Sequence, residues 1–543
     1  MAIPAFCDLL TPKNVSSSKG ATLNKRRECL KISRHAGAAA VSARAAGLAN
    51  LWVLCGLRLL AATSGVILLI STASAQEIKK PWPLRSCKLP DIAEELQCGK
   101  LTVFEDRRAR SGRTIDLNVV VLPALDQGHK LAPLFDLAGG PGIASTTSAN
   151  LYATFLKEYR RHRDVVLVDQ RGTGDSNPLN CAHETDPQYF LNEMYPVDYV
   201  RDCRRQLESH ADLTQYTTPI AMDDLDDVRA WLGYGRIDLF GLSYGTRAAL
   251  VYMRQHPDRV GKVVLMGVTP TDHKMPLYHA RDGQRAMNLV LEECAADQAC
   301  NQAFPNIKRE LTELLGSLER HPAQVKYSLP ESGKAVTVTI AGQVFAEKLR
   351  SALYTPAGAR KLPLLIHRAA QGDFSPFLNM VIPVQRSQPD FIADGMYLSV
   401  TCNEDTQQIN AKAAAAMNRG NLFDNYRVAQ QLRACRLWPT ARLTSGYSQP
   451  VFSKAPVLIL SGYMDPVTPP AWAEGVASHL PNSRLVAIRH HAHVPQGLSH
   501  IECLDKVILE FLDKGDVKSL DANCVDGMLP PPFSTEAETR HSQ

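Results

Sequence analysis

The sequence contains no Cys-x-x-Cys pair and no cysteine–histidine spacing of the kind that holds zinc, so no metal site is expected. It has no internal repeats. Beyond residue 75 it also has no excess of either charge. Of the 60 Lys/Arg and 55 Asp/Glu, nine basic residues (Lys13, Lys19, Lys25, Arg26, Arg27, Lys31, Arg34, Arg44 and Arg58) and two acidic ones (Asp8 and Glu28) lie in residues 1–75. That leaves 51 basic against 53 acidic residues, a net −2, and a nearly neutral body has no electrostatic reason to seek nucleic acid.

The head of the chain holds what the body lacks. Its basic residues lead into the apolar runs Leu51–Leu60 and Gly65–Ile70, and Ala73-Ser-Ala75 then offers a cleavage site before Gln76. Basic, apolar, then small residues is the order of a secretory signal peptide, so residues 1–75 are expected to be a leader. Its basic region is too long for a signal, which suggests translation starting further downstream. The mature protein is expected to be secreted or periplasmic, with no membrane partner once the leader is removed. Ten cysteines follow it, in near-neighbour couples suited to an oxidising compartment: Cys87 with Cys98, Cys181 with Cys203, Cys294 with Cys300, Cys402 with Cys435, and Cys503 with Cys524.

From Gln76 onwards, apolar strand-like runs alternate with helical patterns. Lys100–Phe104, Ile115–Leu122, Leu131–Leu137, Val165–Val168, the run before Ser243 and Lys262–Met266 read as strands. Helices are expected near Leu151–Arg161 and near Asp223–Leu232, the latter with acids in its first turn. This rhythm predicts a mostly parallel sheet with helices on both faces. It spans residues 76–269 and resumes at 451–543 with Pro456–Leu460, Arg484–Ile488 and a helix over Cys503–Leu512. The stretch between, 270–450, is mainly helical in pattern, with one strand-like interlude at Ala335–Ile340, and reads as an inserted cap.

Within this frame, Gly241-Leu-Ser-Tyr-Gly245 joins a strand to a helix through a turn too tight for side chains at its glycines, which leaves Ser243 exposed at its apex as a nucleophile. A serine nucleophile needs an acid, a base and an oxyanion hole, and in such a sheet the acid and then the histidine follow later in the chain. Asp465 lies just past a strand end, and His490, His491 and His493 follow the next strand, with His500 close behind. His493, farthest out on the loop of the three, is the chosen base; a metal cluster of the histidines lacks the acids or cysteines it would need. Gly139-Gly-Pro-Gly142 follows a buried strand as an oxyanion loop should. Pro141 has no N–H, so the loop donor is Gly140 or Gly142, with Gly140 the chosen one, and Tyr244 is the expected second donor.

These motifs, together with Asp169-Gln-Arg-Gly-Thr-Gly174 and Asp465-Pro-Val-Thr-Pro469, resemble the α/β-hydrolase serine exopeptidases of the prolyl and tripeptidyl aminopeptidase type, over nearly all of residues 80–533. Two details depart from that pattern: Ala492-His-Val494 stands in place of a Gly-His-Gly-like context, and Leu137-Ala138 in place of a histidine before the glycine loop. The resemblance implies an α/β-hydrolase fold and an exported aminopeptidase that forms an acyl-enzyme and needs no metal or organic cofactor. Hydrolysis of small esters or amides, and a catalytically inactive binding protein, are the alternatives. An exopeptidase must also meet a protonated amine. Met396–Thr401 reads as a short buried strand leading to a turn that presents Glu404 and Asp405, and Glu404 is the expected amine partner, the alternative being two solvated loop carboxylates.

Overall fold

The computed structural model describes residues 83–536, apart from 127, 129–130, 183–185, 331, 388–390 and 443–444. The expected leader therefore lies outside the described residues. The first strands are antiparallel: β1 (Arg85–Cys87), β2 (Leu96–Phe104) and β3 (Thr114–Leu122), with β2 and β3 in register from Gln97 opposite Val121 to Phe104 opposite Thr114. Both long strands start earlier than their apolar runs, because an edge ladder needs backbone pairing more than burial.

The next strands are short and apolar because helices cover both faces of the sheet. They are β4 (Leu134–Leu137), β5 (Val165–Val168), β6 (Ile237–Leu242) and β7 (Val260–Met266); every residue of β4 and β5 is buried. The chain then leaves the sheet for a largely helical insertion. Its one hairpin pairs β8 (Ala323–Ser328) antiparallel with β9 (Ala335–Ile340). It returns as β10 (Val457–Gly462) and β11 (Ser483–Ile488). The nine-stranded sheet runs β1-β2-β3-β5-β4-β6-β7-β10-β11 and is parallel from β5 to β11. Two apolar layers lie on its faces; a third core lies mainly in the insertion, and a fourth joins residues 179–244 to the insertion around Met396–Cys402.

Several elements differ from the sequence reading. The helix expected from Asp223 begins at Thr218 with Pro219 in its first turn, so its acids sit in the second and third turns rather than the first. The helical stretch near Leu151 is one α-turn, Ala149–Ala153, followed by a 3₁₀ turn. Met396–Thr401 is not a strand: it lies inside the helix Asp394–Glu404. Every residue from Gly395 to Glu404 is buried, so the segment carries no polar face to betray a helical period. All five expected disulfides are present, with Cα separations of 5.1–5.9 Å.

Candidate active site

Ser243 sits between β6 and the helix Tyr244–Gln255, at φ 57° and ψ −121°, a conformation that costs a non-glycine residue energy and persists only where its surroundings enforce it. The flanking glycines enforce it. A Cβ on Gly245 would lie 1.9 Å from the Leu137 carbonyl oxygen, and one on Gly241 would lie 2.5 Å from that of Gly245. The elbow is thus wedged against the end of β4, and the Ser243 N–H is fixed by the Met266 carbonyl at 2.9 Å.

The loop after β4 closes over the serine. A Cβ on Gly139 would meet the Ser243 Cβ at 3.2 Å and its Oγ at 3.8 Å. Tyr244 is the first residue of its helix, where an N–H has no acceptor in the preceding turn, and Gly140 follows Gly139 in the loop at φ 108°. The Asp169–Gly174 motif acts as a bolt behind this loop. The Asp169 carboxylate accepts from Asn118 Nδ2 at 2.9 Å, the Thr146 N–H at 3.0 Å and the Asp175 N–H at 3.2 Å, while Arg171 grips Asp224 at 2.6 and 2.9 Å.

Asp465 follows β10 and His493 follows β11, neighbouring parallel strands whose carboxyl ends lie side by side. His493 Nδ1 is 2.8 Å from Asp465 Oδ2. The other Asp465 oxygen accepts the N–H groups of Val467 and Thr468, each at 2.8 Å. Thr468 Oγ1 donates to Oδ2 at 2.7 Å and stands 3.2 Å from His493 Nδ1. Burial would raise the Asp465 carboxyl, but the imidazole and these bonds outweigh it and hold it down at about 2. His493 is 1% exposed, and its Nε2 has no hydrogen-bond partner among the described residues.

The other histidines are placed differently. His491 Nδ1 faces the Ala492 carbonyl at 2.6 Å, and burial pushes its pKa down to about 4. His490 lies 3.7 Å from Glu293, and His500 is exposed beside Glu502. Thr468 was not singled out in the sequence, although a threonine three residues after an acid at a strand end is the pattern of a side chain folding back onto a carboxylate.

The insertion touches the loops that carry His493, Asp465 and Gly142. The N–H groups of His493 and Val494 both donate to the Tyr354 carbonyl at 3.0 Å, and the Tyr354 ring meets the imidazole edge-on at 5.1 Å. The Ala393 N–H donates to the Gly142 carbonyl at 3.0 Å, and Arg285 Nη2 to the Asp465 carbonyl at 3.0 Å. Glu404 is the expected residue that is placed otherwise. It is 1% exposed at the end of a buried helix rather than on a turn, and it accepts from the Thr218 N–H at 2.5 Å, the Thr218 hydroxyl at 2.8 Å and the Tyr447 hydroxyl. Its neighbour Asp405 is likewise buried, gripped by Arg247 Nη1 at 2.9 and 3.1 Å. Neither acid is a solvated loop carboxylate.

The family profile described as alpha/beta hydrolase fold matches residues 133–498. The chain belongs to the α/β-hydrolase fold family. Two relatives of this α/β-hydrolase span most of its length. It is 24% identical over 471 residues to the serine protease Hip1 of Mycobacterium tuberculosis, covering 79% of this chain and 87% of that one. It is 23% identical over 477 residues to a tripeptidyl aminopeptidase of Streptomyces coelicolor, covering 81% and 85%. A proline iminopeptidase of Neisseria gonorrhoeae matches a shorter stretch, 29% identical over 136 residues, or 25% of this chain and 32% of that one. The likeness to α/β-hydrolase serine exopeptidases thus extends over most of the chain, and the protein is a serine hydrolase of this fold.

Proposed function

We propose that the protein is an exported aminopeptidase that removes short N-terminal units from peptides through an acyl-enzyme. The observation that carries this reading is the 2.8 Å bond between Asp465 and His493 Nδ1, which leaves the buried Nε2 without a partner among the described residues, in a chain whose elbow presents Ser243. In this mechanism the Ser243 hydroxyl attacks the scissile carbonyl as His493 Nε2 takes its proton. The imidazolium is held by Asp465 and then protonates the leaving amine. The N–H groups of Gly140 and Tyr244 stabilise the oxyanion. Water, activated by the same imidazole, releases the acyl fragment and regenerates the serine.

The insertion serves as the cap that shapes the substrate pocket. Its contacts to the loops bearing Asp465, His493 and Gly142 support this role. Export is supported by the leader-like head of the sequence and the five disulfides. No helix among the described residues is long and apolar enough to cross a membrane.

The test uses the mature protein and its Ser243→Ala variant. A fluorophosphonate should label the wild type alone, and the wild type should release p-nitroaniline from free-amine peptidyl anilides faster than from N-acetylated ones. Labelling that survives in Ser243→Ala would move the nucleophile elsewhere, and turnover confined to simple esters would replace the peptidase by an esterase.

A further inference from the structure

Inside the insertion, two guanidinium groups are buried around one carboxylate. Glu347 accepts from Arg350 Nε at 2.9 Å and from Nη2 at 2.7 Å, so both of its oxygens are engaged. Arg427 lies within electrostatic reach of the same carboxylate and is 5% exposed. Its Nη2 donates to the Tyr397 hydroxyl at 2.8 Å, and its guanidinium carbon sits 5.7 Å from the centre of that ring. Its Nε and Nη1 are shielded from solvent and have no hydrogen-bond partner among the described residues. Both ring nitrogens of the buried His279 are in the same position.

A guanidinium carries five N–H donors, and leaving most of them empty away from water is costly. Such orphaned donors, beside a single carboxylate already bound to another arginine, call for an anion that completes them. His279 adds no charge, because burial and the neighbouring arginines press its pKa well below the usual imidazole range. As a neutral ring it still offers one N–H.

Arg427 is tied to the candidate site through Tyr397, and the neighbouring Arg350 through Tyr354. Tyr397, which it grips, lies one helical turn after Ala393, the residue bonded to Gly142 in the oxyanion loop. On the other side, the guanidinium carbon of Arg350 sits 5.6 Å from the centre of the Tyr354 ring, the ring that packs on His493. His279 is within electrostatic reach of Arg350, Arg427 and His493.

We propose that Arg427, with His279 beside it, binds a carboxylate of the substrate close to the scissile bond, so that the enzyme selects peptides bearing an acidic side chain or a terminal carboxylate there. The proposal rests on the serine hydrolase reading of Ser243 and names a substrate class for that site. It differs from the expected amine recognition, which concerns the opposite charge.

The test uses matched anilide substrates that differ only as Glu against Gln, with the pair placed once on the acyl side and once on the leaving side. The wild type should favour the Glu member of one pair by about tenfold or more in kcat/KM, the weight of a charged hydrogen bond, and the favoured pair identifies the side that carries the carboxylate. Arg427→Gln should abolish that preference, lowering kcat/KM on the Glu member by about tenfold more than on the Gln member; Arg427→Lys should keep part of it. If Arg427→Gln does not fold, Arg427→Lys and His279→Gln carry the comparison, each expected to lower the preference selectively. Equal rates within both pairs for the wild type, or equal losses on Glu and Gln members in the variants, overturn the proposal. Calorimetric titration with glutarate against chloride of equal ionic strength gives a readout independent of turnover: binding by the wild type that is lost in the variant supports the site, and no binding by the wild type counts against it. Failure of the fluorophosphonate to label Ser243 would instead sink the hydrolase reading, and the glutarate titration would still decide the carboxylate site.

Discussion

Glu404 holds Thr218 twice, through its N–H at 2.5 Å and its hydroxyl at 2.8 Å, and the Thr218 hydroxyl in turn meets the Tyr244 hydroxyl at 2.7 Å. The acid of the insertion is thereby linked to the side chain of the residue that follows the nucleophile. Because its oxygens are engaged inside the protein, Glu404→Gln should lower turnover of free-amine and N-acetylated substrates by the same factor. Glu404→Ala leaves the Thr218 N–H and the Tyr447 hydroxyl unpaired and should cost about 1–3 kcal/mol of stability for each stranded group, read as a fall in Tm. A KM increase confined to free-amine substrates would restore the amine-binding role.

His493→Asn should reduce kcat/KM on the order of 10⁴- to 10⁶-fold, as loss of the general base does in such sites. The same change at His490 or His500 should cost less than about tenfold, since neither contacts Asp465. His491→Asn is the sharper control: that ring is buried beside the loop, so it should lower Tm while the folded fraction keeps most of its rate. A variant of His491 that folds normally and is inactive would reassign the base.

Asp465 supplies a pH prediction with a definite sign. Its folded pKa of about 2 lies below its unfolded value of about 3.9, so it stabilises the fold fully above the unfolded value and loses that contribution as pH falls towards 2. The stability difference between the wild type and Asp465→Asn, from urea unfolding, should therefore be constant from pH 5 to 7 and shrink between about pH 4 and 2. A difference that shrinks near pH 6 would mean the carboxyl is not held down by His493 and Thr468.

The Cys402–Cys435 disulfide clamps the end of the helix carrying Glu404 to the helix Tyr426–Cys435, which carries Arg427. Replacing both cysteines by alanine should cost about 2–4 kcal/mol and lower Tm. Peptide mapping without reduction should recover all five local pairs, and free thiols at most of these ten positions would contradict them.

The parts legible in the sequence were those whose physics is local. The runs Val165–Val168 and Val457–Leu460 are apolar because the sheet is covered on both faces, and the glycines around Ser243 are required by contacts within a few residues and with the end of β4. Asp465 and His493, which the structure brings to 2.8 Å, could be paired from their order along the chain. The helix Asp394–Glu404 could not, because burial on all sides removes the period that marks a helix, and its Tyr-Leu-Ser-Val-Thr run favours a strand when taken alone. Arg427 carries no local signal either. On its own helix it looks like any surface arginine, and its distinction lies in donors left without acceptors once three separate segments meet.

The pairing of β10 with β7 spans residues 267–456, so the two halves of the proposed catalytic set are made far apart in time. On the proposed assignment, a ribosome finishes the elbow at Ser243 long before it reaches Asp465 and His493, and the emerging chain meanwhile carries a serine with no base to activate it. On that assignment, a nascent or prematurely terminated product ending before residue 465 carries the serine but neither the acid nor the base, and digests nothing around it.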